Sequence, residues 1–278
     1  MLNITFFGVR GSTPCSGERT RRYGGNTSCV GVEVPGQKPI VLDMGTGLRY
    51  FGETQPLDGT FEGTALVSHL HWDHVQGLPF FVPILTGGHL DVYAPVQEDG
   101  VDLFDAFDLC IRPPFFPVAM DALVGTFAFH PCADDEFSVG TAKVTSRSVP
   151  HVGPTNGYRI EWEGATVAYI SDHQQPYDGG NSIAEGALEL CDGADLVIHD
   201  AQYTVAEFPK KSTWGHCTVE YAVMVAKEAG AKSLALFHHD PTRHDEALDD
   251  LTMCAREFAD RAGVELITAA EGLTVSFG

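Results

Sequence analysis

The segment Ser68-His69-Leu70-His71-Trp72-Asp73-His74 sets three imidazoles and one carboxylate within six residues, directly behind the apolar run Thr64-Ala65-Leu66-Val67. A strand ending there presents His69 and His71 on one side, because strand side chains alternate with period two. The turn that follows can swing Asp73 and His74 toward a neighbouring point. Nitrogen and oxygen donors set this closely suit borderline cations such as Zn²⁺. Solvation alone explains them poorly, since four ligand-type residues here share their turn with Leu70 and Trp72.

Three other segments place donors at the ends of expected strands. Ser148-Val149-Pro150-His151 follows an alternating stretch, and Ala168-Tyr169-Ile170-Ser171-Asp172-His173 closes another with a carboxylate. Leu234-Ala235-Leu236-Phe237-His238-His239-Asp240 ends a third in two histidines and an acid. Taken singly, each is an ordinary strand end. Their shared placement at the exits of buried strands is where a rigid sheet can hold a site.

The elements that must carry these residues are readable from periodicity. Strand patterns occupy residues 2–7, 28–34, 39–43, 63–68, 89–94, 122–129, 142–149, 156–162 and 165–171, with a long Gly-, Arg- and Ser-rich loop from Gly8 to Asn26. After residue 180 the pattern changes. Helices at 181–191, 218–229 and 244–262 alternate with short strands at 195–199, 233–237 and 264–268. The clearest helix puts Val219, Ala222, Val223 and Ala226 on one face, with Thr218 as N-cap and Gly230 as the stop. Leu248, Leu251, Ala255, Phe258 and Ala262 form a similar stripe in the last helix. Two strand-rich halves with helices outside predict a four-layer α/β/β/α sandwich, and residues 1–278 read as one domain.

Composition narrows the class further. The 278 residues carry a formal charge of −21 and are 44% hydrophobic, an ordinary globular composition with an acidic excess. Such a field repels phosphate backbones and argues against an extended nucleic-acid footprint. A small anionic substrate is compatible with it, because bound dications would dominate the local potential. Solubility is the plainer reason for the acidity. Seven cysteines without a C-x-x-C pair suit a reducing, cytoplasmic compartment. Met1-Leu2-Asn3-Ile4-Thr5-Phe6-Phe7-Gly8 reads as a strand rather than a signal peptide, and no apolar run reaches membrane-span length.

The order H-x-H-x-D-H, then a distant His, an Asp and a final His, resembles the metallo-β-lactamase fold hydrolases over nearly the whole chain. The resemblance implies two divalent metal ions, Zn foremost with Mn or Fe as alternatives. It implies His69, His71 and His151 on one ion, Asp73, His74 and His238 on the other, and Asp172 bridging both. His238 is preferred to His239 because Leu236-Phe237-His238-His239-Asp240-Pro241 aligns with the family's Leu-Thr-His-x-Ser-Pro. Ala194-Asp195-Leu196-Val197-Ile198-His199-Asp200-Ala201, Trp214-Gly215-His216-Cys217-Thr218 and Ala229-Gly230-Ala231-Lys232 are similar to the phosphodiesterase branch, which includes ribonuclease Z and class II cyclic-nucleotide phosphodiesterases. Gly8-Val9-Arg10-Gly11-Ser12-Thr13-Pro14 and Leu42-Asp43-Met44-Gly45-Thr46-Gly47 also resemble that branch. Cys217 stands where the branch has Ser, and Ser171-Asp172-His173 where it has Gly-Asp-Thr.

The expected activity is cleavage of a phosphodiester, foremost in a small or cyclic nucleotide. Asp73 and Asp172 would orient the attacking water. His216, steered by Asp200, would protonate the leaving alkoxide. The alternatives are a ribonuclease Z-like RNA endonuclease, a hydrolase of a carboxylic ester, lactone or thioester, and a metal-stabilised sensing module without turnover. The ribonuclease Z reading calls for a Gly/Pro-rich basic arm. The stretch Leu109-Cys110-Ile111-Arg112-Pro113-Pro114-Phe115-Phe116-Pro117-Val118 is instead aromatic and nearly uncharged, a packed loop or a lid. His173, His239 and Asn26 flank the expected site as substrate contacts or supports. Dimers are common among the proteins that the chain resembles, so a homodimer stays open.

Overall fold

In the first strand, β1 (Leu2–Gly8), Leu2, Ile4 and Phe6 are fully buried while Asn3, Thr5 and Phe7 are only partly covered. One face of its sheet therefore meets the core. The computed structural model describes the backbone of residues 1–278 and every side chain except that of Asp99. It contains two seven-stranded sheets. The first orders β14 (Thr274–Phe277), β1, β2 (Cys29–Glu33), β3 (Ile40–Leu42), β4 (Glu62–Leu66), β5 (His89–Pro95) and β6 (Thr126–Cys132). The second orders β13 (Glu265–Thr268), β12 (Ser233–Phe237), β11 (Leu196–Asp200), β10 (Ala165–Ile170), β9 (Asn156–Trp162), β8 (Ala142–Ser148) and β7 (Glu136–Val139).

Each sheet is antiparallel on one side and parallel on the other. β3 to β6 run parallel in the first sheet, and β10 to β13 in the second. Parallel strands need covering on both faces, and β10, β11 and β12 are buried along their whole length. Four helices lie in the first half: α1 (Leu48–Glu53), α2 (Trp72–Val75), α3 (Val82–Leu85) and α4 (Leu103–Cys110). The second half contributes α5 (Glu185–Cys191), α6 (Phe208–Lys211), α7 (Val219–Glu228) and α8 (Asp245–Ala262).

Three apolar layers hold the stack together. Ile4, Phe6, Leu66, Tyr169, Ile198 and Phe237 pack between the two sheets. Val41, Phe51, Val67, Phe81 and Phe107 join the first sheet to its helices, and Ile170, Leu190, Val197, Ala222 and Ala255 join the second sheet to α5, α7 and α8. This is the four-layer αββα sandwich that the sequence predicts, the metallo-β-lactamase fold.

The differences from the expected elements have local causes. β7 and β14 were not expected; each is a four-residue edge strand with no fully buried side chain, so its apolar signal is weak. The strand expected at 122–129 lies at Thr126–Cys132, after a short turn at Met120–Ala122. α1 to α4 are four to eight residues long, too short to display a helical stripe. The helix expected from residue 181 begins at Glu185. No helix among the described residues is long and apolar enough to cross a membrane.

The topology brings the carboxyl ends of β3, β4, β8, β10, β11 and β12 to one edge of the sandwich. The residues that leave those strands meet there.

Candidate metal centre

His69 and His71 leave β4, and His151 leaves β8. One ring nitrogen from each of the three lies within 4.8 Å of the others. The Nε2 of His151 is 3.3 Å from the Nδ1 of His71, while its Nδ1–H donates to the Gly215 carbonyl at 2.7 Å. Asp73 and His74, on α2, form a second group with His238, which leaves β12. There the Oδ2 of Asp73 is 3.2 Å from the Nε2 of His74 and 3.1 Å from the Nε2 of His238.

Asp172, at the end of β10, sits between the two groups. Its Oδ2 lies 3.9 Å from His69 and 3.7 Å from His151, and its Oδ1 lies 3.2 Å from His74 and 3.4 Å from His238. Each oxygen thus faces one group.

Of the atoms that face the two groups, the Nε2 of His69, the Nε2 of His74 and the Oδ1 of Asp172 are buried without a hydrogen bond. Orphaned buried polar atoms are costly. A cation in each group would satisfy them, and a set of five imidazoles and two carboxylates is a borderline-metal donor set. Charge states agree with that use. Burial holds the imidazoles of His69, His71 and His151 below their usual range, in the neutral form that ligates. Burial pushes the Asp73 and Asp172 carboxyls up, but the surrounding imidazoles outweigh it and keep both ionised. For His74 burial is outweighed by Asp73, Asp172 and Asp43, which raise its pKa, so a cation binding there competes with a proton.

A supporting layer fixes the donors. Asp43, just after β3 and in a left-handed conformation (φ 59°), was given no role in the sequence analysis. Its carboxylate accepts from the Nδ1 of His74 at 2.7 Å, from Tyr169 OH at 2.6 Å, and from both the backbone N–H and the hydroxyl of Ser68 at 2.6 and 2.9 Å. A non-glycine residue in that region costs energy, and such strain persists where surrounding bonds over-determine it. The nearest sequence signal was Asp43 in Leu42-Asp43-Met44-Gly45, an acid directly behind a short apolar strand. Ser12 also escaped notice; its N–H donates to the Oδ2 of Asp73 at 2.6 Å. Gly215 has φ +93°, and a Cβ there would stand 2.3 Å from the His151 ring. Only glycine lets this loop accept the imidazole so closely.

His216 and Asp200 lie against the same centre. The Nδ1–H of His216 donates to the Oδ2 of Asp200 at 2.9 Å, and the ring packs 5.0 Å from that of His238. Asp200 is held in turn by the backbone N–H groups of His173 and Gln202, at 3.1 and 3.0 Å. Of the flanking residues, His173 lies outside the two groups. Its Nδ1–H donates to the Nε2 of His199 at 2.9 Å, whose Nδ1–H donates to the Asp200 carbonyl at 2.7 Å. The Cys217 thiol donates to that same carbonyl at 3.1 Å, the bond that a serine could make there. Asn26 is tied to Glu271 and supports the loop of residues 8–14. His238 (φ 56°) turns into the second group, whereas His239 turns away and donates to the Ala269 carbonyl at 2.9 Å. A cavity of about 430 Å³ opens over the centre, lined by Ser12, His71, Trp72, Asp73, Trp214 and His216 among others.

The Beta-lactamase superfamily domain family matches residues 40–239, which span β3 to His239 and so every donor named above. The chain belongs to this superfamily. Among curated relatives, the ribonuclease Z of Brevibacillus brevis is 35% identical over 91% of both chains. That of Natronomonas pharaonis is 26% identical over 99% of this chain and 97% of its own. The latter alignment runs over 317 positions against the 278 residues here, so that relative carries inserted segments which this chain lacks. In fold, the metallo-beta-lactamase fold protein YhfI from Bacillus subtilis superposes with a TM-score of 0.74 at 20% identity, covering 99% of this chain and 100% of its own. The chain is a ribonuclease Z-like member of the phosphodiesterase branch. These relatives favour the ribonuclease Z alternative over the small or cyclic nucleotide expected first.

Two expectations arise from this geometry. Asp43→Ala frees the His74 ring and should weaken cation binding about 10–100-fold, the usual effect of removing a partner that orients a ligand. Competition with a chromophoric chelator measures it, and unchanged affinity would remove Asp43 from that role. The second concerns acid stability. Burial drives the His239 imidazole from 6.5 down to about 3, with Arg10 and Arg243 adding to the effect. Below pH 6.5 the unfolded chain takes up a proton that the folded chain refuses, so stability falls as pH drops toward 3. In urea unfolding with excess chelator, His239→Gln should flatten this dependence by about 1.4 kcal/mol per pH unit, one proton's worth. An identical slope in the variant would contradict it.

Proposed function

We propose that the protein is a two-cation phosphodiesterase of ribonuclease Z type, cleaving an RNA phosphodiester close to a chain end. The observation that carries this reading is the Asp172 carboxylate, one oxygen facing each donor group, with the Asp200-steered His216 beside it. His69, His71 and His151 would hold one cation, Asp73, His74 and His238 the other, and Asp172 both. Bound there, zinc or a similar dication supplies positive charge for the phosphoryl oxygens and acidifies a water for attack.

The remaining work belongs to the chain's own groups. Asp73 accepts the Ser12 N–H, so its carboxylate keeps one orientation beside the cavity. His216 gives its Nδ1–H to Asp200, which leaves Nε2 for the substrate. Burial disfavours the charged ring, but Asp200 and Asp172 outweigh it and raise the His216 pKa. An imidazolium held in this way can hand its Nε2 proton to a departing alkoxide. Alkoxides are poor leaving groups, and this is where an acid has most effect.

A second reading, a small or cyclic nucleotide as substrate, is favoured by three observations. The chain carries −21 charges, and the cavity lining contains no Lys or Arg. The segments inserted in the Natronomonas relative are also missing here. Turnover of a precursor tRNA compared with 3′,5′- and 2′,3′-cyclic nucleotides, on metal-loaded protein, separates the two. Cleavage of the RNA alone supports the first reading, and cleavage of the cyclic nucleotides alone the second.

His216→Ala should lower turnover of a diester with an alkoxide leaving group about 10²–10⁴-fold. Bis(p-nitrophenyl) phosphate, whose leaving group needs no acid, should lose far less, with bound metal unchanged. Equal losses on both substrates would exclude His216 as the proton donor.

A further inference from the structure

We propose that Trp72 and the apolar groove beside it hold the nucleobase next to the scissile phosphate, so that the substrate is selected by base stacking. This rests on the phosphodiesterase reading above. Trp72 stands between His71 and Asp73 and begins α2, so two candidate ligands fix its place beside the centre. Its indole is nonetheless 61% exposed.

Trp72 lines two hollows at once. One is the cavity over the centre, and the other is a groove of about 160 Å³ whose walls include Phe80, Ile111, Phe115 and Phe116. Phe80 and Phe116 meet edge to face at 5.8 Å, while Phe80 and Phe115 are 56% and 74% exposed. So many large aromatic side chains left open around one small groove mark a binding surface rather than a packed core. In the aromatic stretch 109–118, α4 takes the first two residues, and Cys110, Ile111, Phe115 and Phe116 line the groove.

The chemistry of the groove selects its occupant. It shares the Trp72 side chain with the cavity over the centre, so a ring held there lies beside a group bound in that cavity. Its volume is well below the 300–1,000 Å³ of ordinary small-molecule pockets, which suits one flat ring system. Neither lining contains Lys or Arg, so it offers no cation to grip a second phosphate. Aromatic faces bind any base through its π-surface, and Gln76 adds an amide that can meet a base edge. Trp214, the other exposed indole at the cavity, already carries the Lys211 ammonium over its ring at 5.5 Å.

The test compares thymidine 5′-(p-nitrophenyl phosphate) with its abasic 1,2-dideoxyribose analogue on metal-loaded protein. The leaving group is the same in both. The wild type should prefer the base-bearing diester about tenfold or more in kcat/KM, as expected for one base–aromatic stack. Trp72→Ala should bring that ratio close to one, Phe115→Ala should lower it less, and Trp72→Phe should restore most of it. A wild-type ratio near one, or a ratio unmoved in Trp72→Ala, overturns the proposal. Calorimetric binding of AMP and of ribose 5-phosphate gives a readout without turnover. A base that tightens binding in the wild type but not in Trp72→Ala supports the groove, and equal affinities overturn it. Base-dependent binding with no diester cleaved would overturn the phosphodiesterase reading and leave the base site standing.

Discussion

A buried carboxylate between two groups of imidazoles is the constraint on which the rest of the structure depends. Asp172 is almost wholly buried, yet its two oxygens face five histidine nitrogens at 3.2 to 3.9 Å. An ionised group so placed needs positive partners. Everything around it can be understood as supplying and aiming them. The sheets bring six strand ends to one edge. The Gly8–Pro14 loop closes over Asp73, and Asp43 and the Gly215 carbonyl fix the two imidazoles that face them.

The supporting layer explains where the fold accepts strain. Asp43, His238 and Ser12 all have positive φ, at 59°, 56° and 63°, and all three touch the centre. Elsewhere this conformation falls mainly to glycines in turns. A second hydrogen-bonded line, from His173 through His199 to Asp200, ends at His216, so His216 is positioned from the second sheet while the donor groups draw on both sheets. The outer helices need only keep that sheet covered.

Much of this was legible in the sequence, and what was missed has a physical reason. The sandwich followed from buried strand patterns in two halves and from the periodic stripes of α7 and α8. The strand exits that carry donors could be picked out from the sequence, and the family resemblance then chose among their residues, His238 over His239 included. Asp43 and Ser12 could not: each acts through a tertiary contact with a residue 31 and 61 positions away, which no local spacing encodes. β7 and β14 were lost because edge strands show little apolar alternation. The choice of substrate was hardest to read. Charge pointed to a small molecule while the relatives are ribonuclease Z enzymes, and the groove at Trp72 is formed by residues from two separate stretches of chain.

The central claim is that Asp172 lies between two cations. Anomalous diffraction at the zinc edge, from crystals of the zinc-loaded protein, tests it most directly. The account predicts two peaks, one beside His69, His71 and His151 and the other beside Asp73, His74 and His238, each in contact with Asp172. A single peak at saturating zinc, or two peaks of which one leaves Asp172 untouched, would contradict it.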